Sequence, residues 1–189
     1  MKQPMFFLMI TACISNAFTQ ASETKIVQLP YEIILNENEK LIIRENGIIE
    51  FCKKFFVYKK RGMEYPIYES LLTVNRKNNL CGINIMEEMN DGAYASYTLI
   101  INIKTKQDVP YEKDGFFRFR DFFSIKNYFI LVFAEKAYAF DDSNGELLWM
   151  QTYKQKDGRR IIINEDHFII DDMDGNRYKI YGNGRKIKL

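Results

Sequence analysis

The feature that most constrains this chain is the recurrence of Asn-Gly and Asp-Gly. They stand at Asn46-Gly47, Asp91-Gly92, Asp114-Gly115, Asn144-Gly145, Asp157-Gly158, Asp174-Gly175 and Asn183-Gly184. Both residues of such a pair tolerate positive φ, which a tight hairpin turn requires. Between them lie short apolar runs at 26–29, 33–35, 41–44, 48–51, 55–58, 97–103, 122–125, 129–133, 137–140, 161–163, 168–170 and 178–181. Short strands with turns at this spacing predict an all-β sandwich, barrel or propeller. Several runs, Phe129-Ile130-Leu131-Val132-Phe133 above all, are apolar without alternation. Such strands are covered on both faces, as happens when sheets stack face to face. The 15 Phe and 12 Tyr agree, because aromatic side chains favour pleated, half-buried surfaces.

At 189 residues the chain suits one domain with a real core. The formal net charge is +2, with both signs interspersed. A nucleic-acid partner calls for a basic stripe, and the sequence has none. A solvated mixed-charge surface is the expectation.

Residues 1–21 read as a secretory signal. Lys2 precedes an apolar run from Met5 to Ile14, and Thr19-Gln20-Ala21 offers small residues at a cleavage site. The run is too short to span a bilayer as a helix. The expected mature domain is therefore 22–189, in the periplasm. Ile10-Thr11-Ala12-Cys13 has the form of a lipobox, so a lipoprotein anchored through Cys13 stays open. In an oxidising compartment Cys52 and Cys81 are either a disulfide or two buried thiols.

The segment Tyr138-Ala139-Phe140-Asp141-Asp142-Ser143-Asn144-Gly145-Glu146-Leu147-Leu148-Trp149 carries the most specific pattern. It resembles the tryptophan-docking repeat of quinoprotein-type β-propellers, Ala-x-Asp-x-x-Thr-Gly-x-x-x-Trp. Ala139, Asp141, Gly145 and Trp149 match, and Asn144 replaces the Thr. The residues suit that role: Asp141 can bond turn amides, Gly145 supplies positive φ, Ala139 leaves room and Trp149 packs on the next sheet. Thr105-Lys106 and Asn183-Gly184 lie one repeat before and after, with a further turn at Arg61-Gly62. Spacings near forty residues are those of propeller blades. Pro110 and Lys188 fall where a docking Trp is expected. The resemblance implies a small or incomplete propeller-like array of antiparallel sheets; a β-sandwich is the alternative.

Chemistry has little to stand on. There is no Gly-x-Ser-x-Gly, His-Glu-x-x-His or phosphate loop. The one His, His167, reads as edge structure. Asp171-Asp172-Met173-Asp174-Gly175-Asn176 cannot be an EF-hand loop, because Ile170 and Tyr181 take its first and twelfth positions. It reads as a hairpin turn. No catalytic residue, metal site or cofactor is expected; pyrroloquinoline quinone in the enzymes with this repeat needs a complete ring. Surfaces remain. The segments 87–94 and 107–120 read as long connections bearing aromatic and charged groups, the residue types that dominate binding hot spots. The candidate partner-binding residues are Tyr111, Phe117, Arg118, Tyr94 and Glu88.

An exported all-β chain with these features is similar in size and class to envelope immunity proteins paired with type VI effectors. That similarity implies a protein partner, a periplasm-acting toxin or hydrolase. The alternative is an envelope scaffold, such as the propeller-repeat lipoprotein of outer-membrane assembly.

Overall fold

The computed structural model describes residues 22–57, 69–88, 94–111, 119–153, 161–172 and 174–189. Among them every regular element is a strand, and the strands form four antiparallel sheets. The first sheet contains β2 (Tyr31–Ile34), β3 (Lys40–Ile43), β4 (Ile48–Phe51) and β5 (Lys54–Val57). The second has β6 (Glu69–Lys77), β7 (Leu80–Glu88), β8 (Tyr94–Asn102) and β9 (Gln107–Asp108). β1 (Glu23–Gln28) adds a fifth strand beside β6. The third runs β10 (Phe119–Ile125), β11 (Tyr128–Phe133), β12 (Lys136–Asp141) and β13 (Leu147–Thr152). The fourth runs β14 (Ile162–Ile163), β15 (His167–Asp171), β16 (Arg177–Tyr181) and β17 (Lys186–Lys188).

Apart from β1, each sheet is a meander in chain order, and the turns explain why. Gly47, Gly145, Gly175 and Gly184 all take positive φ, at 82°, 83°, 82° and 86°. Non-glycine residues do the same work elsewhere: Cys52 and Lys53 at 48° and 65°, Asn78 at 49°, Lys106 at 57° and Lys126 at 54°. Lys106 thus occupies the conformation that Gly145 and Gly184 hold in the next two sheets. The Asp157-Gly158, Asp114-Gly115, Asp91-Gly92 and Arg61-Gly62 turns lie outside the described residues.

Three apolar clusters join the sheets in series. Leu41, Ile43, Ile49 and Phe51 of the first sheet meet Leu72, Cys81, Ile83 and Ile101 of the second. Leu80, Ile100 and Val109 of the second meet Phe122, Phe129, Leu131, Tyr138 and Phe140 of the third. Phe123, Ile130, Val132, Ala137 and Ala139 of the third meet Phe168, Ile170 and Ile180 of the fourth. The architecture is therefore a propeller-like array of four small sheets, each stacked on the next, and not a two-sheet sandwich. Burial follows that order. β11 is buried from Phe129 to Phe133 because both its faces are covered. β3 and β15 alternate, because only one face of each end sheet meets a neighbour.

Candidate functional site

Two regions matter: the clasps that hold the array together, and the part of the second sheet that extends past them. The clasps recur at the turn before the last strand of the second, third and fourth sheets. In the third sheet Asp141 accepts from the Ser143 amide at 2.8 Å and from its hydroxyl at 2.5 Å, and Asn144 accepts from the Glu146 amide at 2.8 Å. The first two of these bonds hold the Asp141 carboxyl below its ordinary pKa. The turn so shaped presents its carbonyls to the second sheet. Asn79 donates to Ser143 O at 2.6 Å and Asn102 to Asn144 O at 2.7 Å. The Asn79 amide reaches Asp142 O at 3.2 Å. A Cβ on Gly145 would stand 3.0 Å from Val109.

One sheet further on the arrangement repeats. The Trp149 indole N–H donates to Gly182 O at 2.7 Å, and Gln151 donates to Gly184 O. A Cβ on Gly184 would meet the Trp149 ring at 3.0 Å. At the first junction Lys106 pairs with Glu39 at 3.0 Å and lies over the Phe51 ring. The docking positions in the neighbouring sheets are Val109, opposite Ile100, and Ile187, opposite Lys179. Each is one residue before the Pro110 and Lys188 that the spacing suggests. The reason is a bulge: Phe140 pairs with Leu147 but Ala139 with Trp149, so β13 carries an extra residue that β17 lacks.

At Gly82 the two middle sheets come close together. A Cβ there would lie 2.8 Å from both Phe122 and Phe129. Beyond it the strands of the second sheet continue. β6, β7 and β8 are nine residues long, against four in the first sheet. Ile83 and Ile85 still pack in the core shared with the first sheet, and from Ile85 to Glu88 the strand runs on by three residues, about 10 Å. Across this extension Ile26 pairs with Leu71, Leu71 with Met86 and Met86 with Ser96. Ile26 is 68% exposed, and Leu71 and Met86 are half-buried. Glu88 and Tyr94 are directly opposite each other at the end of the ladder. Glu87, Glu88 and Tyr94 of the 87–94 segment thus belong to paired strands, and 89–93 lie outside the described residues. In the same way 107–108 is β9, and 119–120 begins β10.

Tyr111 has an internal setting. Its hydroxyl donates to Thr98 O at 2.7 Å, and its ring lies 5.6 Å from Tyr138 and 6.2 Å from Phe140. Burial raises its phenol pKa. It anchors the junction of the second and third sheets. Phe117 and Arg118 lie outside the described residues.

Cys52 and Cys81 are separate thiols, of which only Cys81 is the buried thiol expected and Cys52 is exposed. Cys81 is fully buried in a central strand, where desolvation pushes its thiol up to about 12. Cys52 is exposed in the β4–β5 turn with its sulfur 3.8 Å from Glu39. The disulfide expectation therefore falls: the two residues stand on different sheets, one facing the core and one facing solvent.

His167 lies between Asp166 and Asn164, with its Nε2 3.1 Å from Asn164. It sits at a strand start, beside the Tyr181 ring. The Asp172 carboxylate accepts from the Asn176 amide at 2.7 Å and side chain at 2.9 Å, which places both residues in the connection between the antiparallel strands β15 and β16, Met173 lying outside the described residues. Among the described residues no group of three or more His, Cys, Asp or Glu side chains could hold a metal ion.

The sheets and clasps define a propeller-like repeat array. No protein-family model matches the sequence, and no curated protein matches it. Among solved structures it is similar to BamB from Moraxella catarrhalis, with 14% identity and a TM-score of 0.42. That similarity covers 84% of this chain and 47% of the other, so the chain spans about half of the BamB length. It is also similar to the computationally designed Ika4 protein, with 13% identity, a TM-score of 0.37, and coverage of 78% and 87%.

Proposed function

We propose that this protein is a non-catalytic, protein-binding domain of the bacterial envelope, and specifically an immunity protein that neutralises a toxin acting in the periplasm. The observation that carries the reading is the extension of the second sheet. Three nine-residue strands continue beyond Ile85, the last buried residue of β7, as far as the Glu88–Tyr94 pair, with the Ile26–Leu71–Met86 row on one face. A paired strand ladder offering an exposed apolar row beside a packed core has the composition of a binding surface. Export is inferred from the signal-like residues 1–21. Protection requires tight binding, and a nanomolar complex corresponds to about −12 kcal/mol. A few anchors supply most of such an energy.

The test is to express the toxin candidate encoded beside this gene in the periplasm, with and without this protein. Growth should be rescued by the wild type and lost with Glu88→Lys plus Tyr94→Ala, while the denaturation midpoint stays unchanged. No rescue from any neighbouring toxin, with co-purification of outer-membrane assembly components instead, would favour the scaffold reading. The Ile10-Thr11-Ala12-Cys13 lipobox form is the feature that keeps that second reading alive.

A further inference from the structure

The two end sheets carry faces that fit each other. Across the third sheet, the row turned toward the fourth is Phe123–Ile130–Ala139–Trp149. Across the fourth sheet, the row in the same register is Ile162–Ile169–Lys179–Ile187. Three of its four positions remain apolar, yet it faces outward: Ile162 is 47% exposed and Ile187 38%. Lys179 stands where Ala139 makes room for the next sheet, and its ammonium lies over the Tyr181 ring with Arg185. At the other end, the outward row of the first sheet is Glu32–Ile42–Glu50–Phe55, with Phe55 62% exposed on one edge strand and Ile34, on the opposite edge strand, 70% exposed.

We propose that these faces meet in a second copy of this chain, the fourth sheet of one stacked on the first sheet of the other. Strand-for-strand stacking sets Ile169 over Ile42, Lys179 over Glu50 and Ile187 over Phe55. The contact continues the face-to-face packing that already joins the sheets within the chain. Lys179 favours a face that brings it a bonded carboxylate, because an apolar neighbour would bury its charge with Asp166 alone in reach. Glu50 is bonded to Arg44 and Glu32 to Lys40, so the first-sheet face is neutral in sum and Glu50 gains a second cation in the pair. On the fourth-sheet face Arg177 is paired with Asp171, Lys179 and Arg185 lie over the Tyr181 ring, and the Asp166 carboxylate is within electrostatic reach of Lys179. Stable interfaces bury about 1,600 Å² in total. One four-stranded face is small against that, and a closed pair makes the contact twice, leaving neither end uncovered.

Sedimentation of the purified mature protein over a wide concentration range tests this. A dimer is expected, with Lys179→Glu and Phe55→Asp each weakening association at least about tenfold. The charge swap Lys179→Glu with Glu50→Lys should restore most of it. Mixing the two single variants should give a heterodimer through the one contact that remains intact. That result separates head-to-tail stacking from a symmetric contact. Near-ultraviolet circular dichroism of Trp149 checks that each variant is folded. A monomeric mass throughout, or a dimer indifferent to both substitutions, overturns the proposal.

Discussion

At Trp149 a single side chain joins two sheets by two means. Its indole N–H satisfies the Gly182 carbonyl, and its ring fills the space that the missing Cβ of Gly184 leaves. Gly184 is doubly constrained, by φ of 86° and by that contact. The two contributions can be separated. Trp149→Phe should cost about 1 kcal/mol, the loss of one hydrogen bond with a carbonyl left unpaired. Trp149→Ala should cost about 3 kcal/mol, the low end for a large aromatic because the ring is half-buried. Urea denaturation measures both. A loss under about 1 kcal/mol for Trp149→Ala would mean that the ring does not dock. Trp149 and Gly184 were legible as a pattern, since Trp and Gly at fixed offsets have a mechanical meaning. Val109 and Ile187 were not. They are ordinary apolar residues, and only the paired register separates them from Pro110 and Lys188.

At the scale of elements, the strands declare their environment through alternation. The unbroken apolar run of β11 and the alternating β3 correspond to two covered faces and one. What local pattern cannot carry is which sheet a strand joins. β1 skips the whole first sheet and pairs with β6, because the closing contacts are distant in sequence. Ser22 donates to Asp121 at the head of β10, and Thr24 meets Thr73 at 3.1 Å. Burial raises the Asp121 carboxyl pKa against the opposing pull of Ser22 and the Phe122 amide. Its folded pKa therefore exceeds its unfolded value, and the native state holds that proton to higher pH. The contribution to stability is full below the ordinary carboxylate range and is lost as pH rises through the raised value. Asp121→Asn keeps an acceptor for Ser22 and removes the charge. The variant should melt higher than wild type at neutral pH, with the difference shrinking on acidification. Melting curves across pH check it. An equal or growing difference at low pH would contradict the assigned burial effect.

For the whole molecule, the reading is four sheets in series with two middle sheets covered on both faces and two end sheets covered on one. The all-β class, the hairpin turns and the stacking were visible in the sequence because each has a short-range cause. The extension of the second sheet was not, since strands of nine residues and strands of four look alike where an acidic, Gly-containing segment such as 87–94 interrupts the pattern. The serial order makes a definite statement about local stability. Amide protection rises with the number of packed faces and falls at uncovered edges. Hydrogen exchange followed by mass spectrometry tests this most directly, on the Lys179→Glu variant so that association cannot cover the ends. The slowest amides should be those of β7 and β11, with β2, β5, β14 and β17 the fastest and the rest of the end sheets between. Protection in β14 to β17 equal to that of β11 would show the fourth sheet covered on both faces, and would contradict an open series of four.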